Sequence, residues 1–383
     1  MSTASVSLPN WITYALLPFL NLLMALLISG LVVWVIGENP IEALVLMVQG
    51  ALGSGYGIGM TLFFATNFIF TGLSVAVAIH AGLFNIGSEG QAYLGGLGAA
   101  LVALAFDHYV PWYVTMPFAV IGAAIFGAAW ALIPAWLQAK RGSHVVITTI
   151  MFNFIGAALM VYLLVNVLIV PGKMAPETRT FLEGGQLPKL DWLMALFGLK
   201  LGPAPFNVSF LIALVMCVAV WVLIWRSKLG FEMRTLGKSR SAADYAGISY
   251  VKIVIVTMLI SGGLAGMMAL NPVMGASGRL QVEFVAGAGF VGIAVSLMGR
   301  NHPFGIVLAA ILFGILYQGG AELSFDMPNI TRDMIVVIQG LVILFAGALE
   351  FMFRPAIVVL YQSIGRSMTR SRAGTVPAGG THG

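Results

Sequence analysis

Gly237, Lys238 and Ser239 are the residues of this sequence whose spacing is most suggestive of chemistry, because they end in the manner of a phosphate-binding loop. Such a loop needs an earlier glycine at a fixed distance so that its backbone N–H groups converge on phosphate. Here Gly230 stands two residues too far away, and no apolar strand precedes it. HExxH, CxxC and nucleophile-elbow motifs are absent, and the single Cys217 lies in an apolar stretch. The sequence therefore predicts no enzyme, no cofactor and no metal site.

A polar, glycine-rich segment at 82–91 interrupts the apolar sequence. A glutamate carried to the centre of a membrane span costs roughly 2.5–3.5 kcal/mol, so Glu89 needs a partner. Two interpretations stay open. Glu89 caps the helix that follows it, where the helix dipole favours an acid, or it acts in a transport path or subunit contact. The candidates in this segment are Asn85, Gly87, Glu89, Gly90 and Gln91.

A basic segment at 230–248 joins a short amphipathic pattern, a glycine break and a run of small residues ending at another glycine. One interpretation is a solvated loop. The other is a docking helix that inserts into a groove on a cytosolic partner. The small residues favour docking, because a simple linker does not need them. The candidate docking residues are Glu232, Arg234, Gly237, Ala242, Ala243, Tyr245 and Gly247.

The elements that position these segments follow from the composition. Apolar residues make up 60% of the chain and charged residues 9%, against roughly 45–50% and about 25% in soluble proteins. So few charges cannot cover a surface in water, and lipid must be much of the solvent. The net charge of +5 does not indicate a nucleic-acid partner, because the basic residues are scattered in short loops, where orientation signals of membrane proteins lie.

Apolar runs of roughly 20 residues, the length that crosses the hydrocarbon, recur along the chain. They are 12–36, 58–80, 90–106, 114–137, 144–169, 207–226, 253–275, 284–299, 304–320 and 333–353. The sequence predicts an all-α, polytopic transmembrane bundle of about ten spans, since unpaired backbone is too costly in lipid and no barrel pattern is present. The runs 90–106 and 284–299 are short and glycine-rich, and half-spans or re-entrant segments stay open for both.

Ten crossings with both termini inside place thirteen of the 19 basic residues in inner loops and six in outer loops, as the positive-inside rule expects. We expect one transmembrane domain at 1–364. Within it, 171–205 forms a proline-containing periplasmic loop and 227–252 a cytosolic loop. The polar tail at 365–383 is predicted to be disordered.

Four stretches resemble the signatures of ABC importer permeases of the branched-chain amino acid, ribose-type sugar and nucleoside group. They are GLFNIGSEGQ at 82–91, RGSHVVITTIMFNFI at 141–155, GFEMRTLGKSRSAADYAGI at 230–248 and GFVGIAVSLMGRNHPFG at 289–305. The glutamate of the first stretch and the ITTIMFN and GRNHPFG runs are most similar to the nucleoside, or simple-sugar, branch. Val145 departs from the acidic residue expected there, and Ser88 from a more usual apolar or small residue.

The resemblance implies a multi-pass permease of the bacterial inner membrane that lacks an ATPase site. It would pair with a second permease, identical or different, and with ABC ATPase subunits and a periplasmic or lipoprotein receptor. Residues 232–248 would couple ATP-driven closure to the membrane part. A nucleoside is the expected solute, and Met151, Phe152 and Asn153 are further candidates for the path. A ribose-type sugar or branched-chain amino acid stays an alternative, as does an ATPase-independent channel or secondary transporter.

Overall fold

The structure is a computed structural model that describes residues 17–196, 198–327, 329–331, 334–341 and 344. Within these residues the regular structure is helical, apart from two isolated bridge pairs, which confirms the all-α prediction. The α-helices are α1 (Leu17–Ile36), α2 (Pro40–Leu52), α3 (Gly55–His80), α4 (Ser88–Phe106), α5 (Trp112–Trp136), α6 (Val145–Asn166), α7 (Asp191–Ala195), α8 (Ser209–Arg226), α9 (Lys228–Lys238), α10 (Arg240–Tyr245), α11 (Tyr250–Met267), α12 (Ala288–Met298) and α13 (Pro303–Asp326). Wider π-helical turns extend α5 through Leu137–Arg141 and follow α11 at Leu270–Ser277.

Six helices of the described part are long and apolar enough to cross a membrane. They are α3, α5, α6, α8, α11 and α13. Helices α5 and α11 are counted together with their π-helical extensions. The pair α1 and α2, bent by 116°, makes a seventh if it is counted as one span. The polytopic bundle is therefore confirmed, with fewer helices of full length than the ten expected spans. Of the expected run 333–353, most of the second half lies outside the described residues.

Helix α2 is an element that the apolar runs did not predict. The side chain of Asn39 accepts a hydrogen bond from Ile41 N at 3.0 Å, and Pro40 begins the helix. An Asn cap followed by proline at the first helical position is a strong start signal, because both satisfy helix-end geometry. The helix packs closely on α13, since a Cβ atom at Gly50 would lie 2.6 Å from Glu322 Cβ.

Small residues let the central helices approach at backbone distance. Helix α3 is the most enclosed candidate span, and it packs against α8, α11, α12 and α13. A Cβ atom at Gly95 of α4 would overlap the backbone of Gly266 in α11, and one at Gly127 of α5 would overlap the carbonyl oxygen of Gly262. Gly262 and Gly266, four residues apart in α11, thus form a close helix crossing, which small residues at helix contacts in lipid permit.

The segment 171–205 is more structured than a polar loop. It contains α7 and a short 3-10 turn at Glu183–Gly185, and it buries Phe181, Leu190 and Leu201 against the bundle. Arg179 makes two hydrogen bonds to the Asp107 carboxylate, at 2.7 and 2.9 Å. These contacts fix the segment across the end of the bundle at which α4 terminates.

Candidate functional site

The connection from α3 to α4 turns back into the protein. Ser74 lies six residues before the end of α3, yet its hydroxyl contacts that of Ser88, the first residue of α4, at 3.1 Å. At about 1.5 Å per residue, α4 therefore begins roughly 9 Å inside the end of α3. Gly82 permits the reversal because its φ is +72°, a backbone conformation that favours glycine.

Two side-chain amides hold this turn together. Asn85 Nδ2 donates to Gln91 Oε1 at 2.9 Å, and Gln91 Nε2 donates back to Asn85 Oδ1 at 3.2 Å. Asn85 also donates to Ser261 Oγ of α11 at 2.8 Å and accepts from Gly87 N at 2.9 Å. Buried amides need such partners, because an unpaired polar group inside the protein costs free energy. We call this group, with Ser74, Ser88, Glu89 and Asn153, the polar junction.

The Glu89 side chain caps a helix other than α4, in which Glu89 itself lies. Its Oε1 accepts from Gly287 N at 2.9 Å and its Oε2 from Gly289 N at 2.8 Å, so the carboxylate binds the start of α12. Glu89 also lies in the first turn of α4, where the helix dipole favours an acid as expected, but its side chain makes no capping hydrogen bond to that helix. The carboxylate meets the partial positive charge of an N-terminus. Gly289 lets the two elements approach, since a Cβ atom there would overlap the Glu89 backbone.

Asn153 joins α6 to the same turn. Its Oδ1 accepts from Gly90 N and its Nδ2 donates to Ile86 O, both at 2.9 Å. Phe152 is half-buried, and its carbonyl accepts from Trp130 Nε1 at 3.1 Å. Met151 is 51% exposed and takes no part in the junction. The structure thus brings Asn153 together with the candidates at 85–91, while a role of any of them in the path stays a prediction.

The polar junction contains three serines that were not among the candidate site residues, although Ser88 was noted as a departure from the family pattern. Ser74, Ser88 and Ser261 contact one another through Ser74, whose hydroxyl lies 3.0 Å from that of Ser261. Ser261 Oγ also contacts the Ser74 carbonyl oxygen at 2.7 Å. A buried serine gives a weak sequence signal, because it is common in membrane helices. Only its contact with Asn85 of the turn between α3 and α4 distinguishes Ser261.

A second amide cluster lies nearer the 171–205 end. Asn271 Oδ1 accepts from Asn207 Nδ2 at 2.7 Å and from Ser209 Oγ at 3.0 Å. Asn271 Nδ2 donates to Asn67 Oδ1 at 2.7 Å. Asn67 and Asn271 are visible in the sequence as amides within apolar spans, but their pairing across α3 and the end of α11 is a tertiary contact.

The segment 227–252 forms a hairpin of two helices, α9 and α10, which we call the basic hairpin. The break between them is at Ser239, whose hydroxyl accepts from Ala242 N at 3.3 Å and caps α10. The expected glycine break at Gly237 was wrong, since Gly237 lies in the last turn of α9. Its lack of a side chain serves contact instead, because a Cβ atom there would overlap the carbonyl oxygen of His80 at the end of α3.

The basic hairpin has one packed face and one open face. Ala243 is completely buried, whereas Tyr245 is 96% exposed. Ala242 is exposed, and Gly247 ends α10 with a φ of +72°. The guanidinium of Arg240 lies over the Tyr250 ring at 4.2 Å and ties the hairpin to α11. The open face therefore presents a large aromatic side chain to whatever lies beyond this end of the bundle.

Two charged candidates lie on α9 and make contacts within that helix. Glu232 is half-buried and lies 3.9 Å from the Lys228 ammonium, one turn earlier. Arg234 Nε donates to Gly230 O at 3.4 Å. Ion pairs with an exposed partner contribute little to stability, so these contacts do not explain why positions 232 and 234 carry charged residues. A role in binding a partner stays a prediction for both.

These features define a membrane-embedded helical protein with a polar junction inside the bundle and an exposed basic hairpin at one end. Residues 57–347 match the family model described as branched-chain amino acid transport system / permease component, and the chain belongs to this family. It is accordingly a multi-pass permease subunit of an ABC transporter.

Three relatives are similar over most of their length. The glucose ABC transporter permease protein TsgB13 of Haloferax volcanii is 32% identical over 372 residues, 96% of each chain. The guanosine ABC transporter permease protein NupP of Bacillus subtilis is 34% identical over 88% of this chain and 94% of its own. The nucleoside ABC transporter permease protein NupB of Lactococcus lactis is 32% identical over 86% and 90%.

Proposed function

We propose that this chain imports nucleosides across the bacterial inner membrane, forming the path with a second permease that is identical or different. Separate ATPase subunits would drive it, and a periplasmic or lipoprotein receptor would deliver the solute. The similarity to NupP and NupB supports the solute class. Among the described residues, the polar junction consists mainly of amides and hydroxyls rather than of a chain of acids, which argues against an ion-coupled transporter.

The proposed topology has ten crossings with both termini inside, two of them broken. Helix α12 has 11 residues, about 16 Å, which is too short for a hydrocarbon core of roughly 30 Å. The irregular chain at 278–287 would complete that crossing, as the turn at 81–87 would complete the crossing of α4. Irregular backbone at membrane depth is tolerated where protein or a cavity surrounds it. This proposal makes 171–205 periplasmic and the basic hairpin cytosolic.

The contact of Gly237 with His80 is the observation that carries the coupling role. Helix α9 rests on the end of α3 at backbone distance. Helix α3 carries Ser74, a member of the polar junction. An ATPase that moved the hairpin would therefore move α3 and bias the packing of the junction, which is a rigid-body switch between two states. The exposed Tyr245 face is where that ATPase would bind.

A hexose is the second candidate solute, because TsgB13 is similar over 96% of both chains. Uptake of labelled guanosine and glucose, measured in cells with and without this chain and with its ATPase and receptor present, separates the two. Guanosine uptake that depends on the chain supports the proposal. Glucose uptake alone would replace the solute and keep the importer. Uptake of either solute by the chain without any ATPase would favour a channel or secondary transporter instead.

A further inference from the structure

The segment between Leu280 and α12 is irregular and strained. Glu283 has a φ of +61° and Ala286 a φ of +49°. Both values lie in the left-handed region, which non-glycine residues adopt at a cost. Such conformations persist only where the surrounding structure enforces them, and they cluster at functional sites. We call 283–290 the strained segment.

With the topology proposed above, contacts at both ends place the strained segment within the depth of the membrane. Leu280 N donates to Thr178 Oγ1 at 3.0 Å, which fixes one end at the 171–205 surface. Gly289 N binds Glu89 at the start of α4, which fixes the other end in the polar junction. Between them, the Phe284 ring meets the Tyr93 ring edge-on at 5.5 Å. The segment therefore runs beside α4, inward from that surface.

Three side chains of the strained segment are exposed on the protein surface at this depth. Glu283, Ala286 and Phe290 are exposed, whereas Val285 and Ala288 between them are buried. Among the described residues, no cation lies within ion-pair distance of the Glu283 carboxylate. This separates it from Glu89, whose two oxygens are both bonded to backbone N–H groups.

Lipid is the wrong surroundings for this surface. An unpaired carboxylate within a membrane faces protein or a water-filled cavity, because hydrocarbon does not solvate it. Backbone that is neither helix nor closed barrel is likewise not found facing lipid. We therefore infer that the strained segment lines the aqueous path for the solute.

The chemistry of the strained segment specifies the kind of solute contact. A carboxylate accepts hydrogen bonds from hydroxyl and N–H groups, which a nucleoside and a hexose both carry. The exposed ring of Phe290 offers an aromatic face against which a base or the C–H face of a sugar packs. Glu283 and Phe290 are thus the proposed solute-contacting pair, distinct from the candidates Met151, Phe152 and Asn153. This inference rests on the proposed function as a permease.

Cysteine accessibility tests the inference directly. The chain has one cysteine, Cys217, which is buried in α8, so Cys217→Ala gives a clean background. Glu283→Cys and Ala286→Cys are made in it, with Val218→Cys as the control, since Val218 is 62% exposed on the apolar face of α8. The assembled importer in membrane vesicles of both orientations is treated with a charged, membrane-impermeant methanethiosulfonate.

The strained segment is expected to react at least about tenfold faster than Val218→Cys, because only a thiol in contact with water forms the reactive thiolate. Saturating transported solute should slow that reaction several-fold. Glu283→Gln should raise the solute concentration needed for half-maximal uptake while the ATPase stays bound to the permease. Solute protection and this shift are readouts that a merely structural role would leave unchanged.

Two results would overturn the inference. One is reaction at 283 and 286 no faster than at 218. The other is reaction that no transported solute slows, together with normal uptake by Glu283→Gln. Failure of the nucleoside proposal gives a different pattern, in which glucose protects the cysteines and guanosine does not. The path assignment would then stand with another solute.

Discussion

The carboxylate of Glu89 accepts a hydrogen bond of 2.8 Å from the backbone N–H of Gly289, a residue 200 positions away in the sequence. The contact joins the start of α4 to the start of α12, the two helices that we assign to broken membrane crossings. A charged acceptor of this kind forms a strong hydrogen bond and offsets the positive end of α12. It joins α4 and α12 into one unit.

Loss of the Glu89 carboxylate should loosen that unit. Glu89→Ala leaves the buried N–H of Gly289 and the partly buried N–H of Gly287 without acceptors, at about 1–3 kcal/mol. We expect a lower unfolding temperature of the purified protein and weaker uptake. Glu183→Ala, at an exposed glutamate of the 171–205 segment, is the matched control and should behave as wild type. A Glu89→Ala protein as stable as the control would show that α12 does not depend on this cap.

Asn153 and Met151 separate a structural role from a path role in α6. Asn153→Ala removes both partners of the turn at Ile86 and Gly90 and should cost about 1–3 kcal/mol of stability. Met151→Ala removes a side chain that is 51% exposed and should leave the free energy of unfolding within about 0.5 kcal/mol of wild type. Equal loss of stability in both variants would contradict this division.

Gly237 should be essential to the transfer of motion from the basic hairpin. Gly237→Val places branched carbon atoms against the His80 carbonyl and must displace α9 from α3. We expect basal ATP hydrolysis by the assembled importer to persist while its stimulation by receptor and solute is lost. Lys238→Ala, at the next and exposed residue, should keep full stimulation. Normal coupling in Gly237→Val would remove this contact from the mechanism.

Tyr245 and Ala243 distinguish docking from folding of the basic hairpin. Tyr245→Ser changes a side chain that is 96% exposed, so binding of the ATPase should weaken while the permease keeps its unfolding temperature. Ala243→Arg instead forces a charge into a completely buried position and should unfold the hairpin, at several kcal/mol. Co-purification of the ATPase measures the first effect and thermal unfolding the second. Undiminished ATPase binding in Tyr245→Ser would exclude this surface.

The ion pair of Asp107 and Arg179 should make the 171–205 segment sensitive to acid. Burial alone would raise the pKa of Asp107, but the hydrogen bonds from Arg179 and Leu182 N, with the Arg179 charge, outweigh burial and lower the pKa. A lowered pKa in the folded state adds stability above the ordinary aspartate pKa, and the stability is lost as pH falls through the lowered value.

Asp107→Asn should therefore lower stability by about 1 kcal/mol at neutral pH and remove that part of the loss in acid. Unfolding temperature against pH, with accessibility of the segment to protease, is the measurement. Asp191→Asn, at an exposed residue of α7, is the control and should leave the neutral unfolding temperature unchanged. Parallel pH curves for Asp107→Asn and wild type would contradict the assignment.

The sequence by itself determined the solvent and the class of this protein. With 9% charged residues, the chain has too few charges to cover a surface that faces water. Its apolar runs of span length are visible in the sequence alone. Its four signature stretches identified the permease family, which the comparison with known proteins confirmed. The small residues of the basic hairpin favoured a docking helix over a solvated linker, and binding of a partner there stays a prediction.

The tertiary structure decided which polar group meets which. Glu89 was visible as an acid that required a partner, but hydrogen bonds across 200 residues leave no local pattern, so its contact with α12 was not foreseen. Gly237 was interpreted as a helix break, but it is a contact point with the end of α3. The sequence alone does not distinguish a glycine that breaks a helix from one that allows a neighbouring backbone to approach. Glu283 and Ala286 gave no signal, because their strain and exposure exist only once α4 and the 171–205 segment hold both ends of the chain between them.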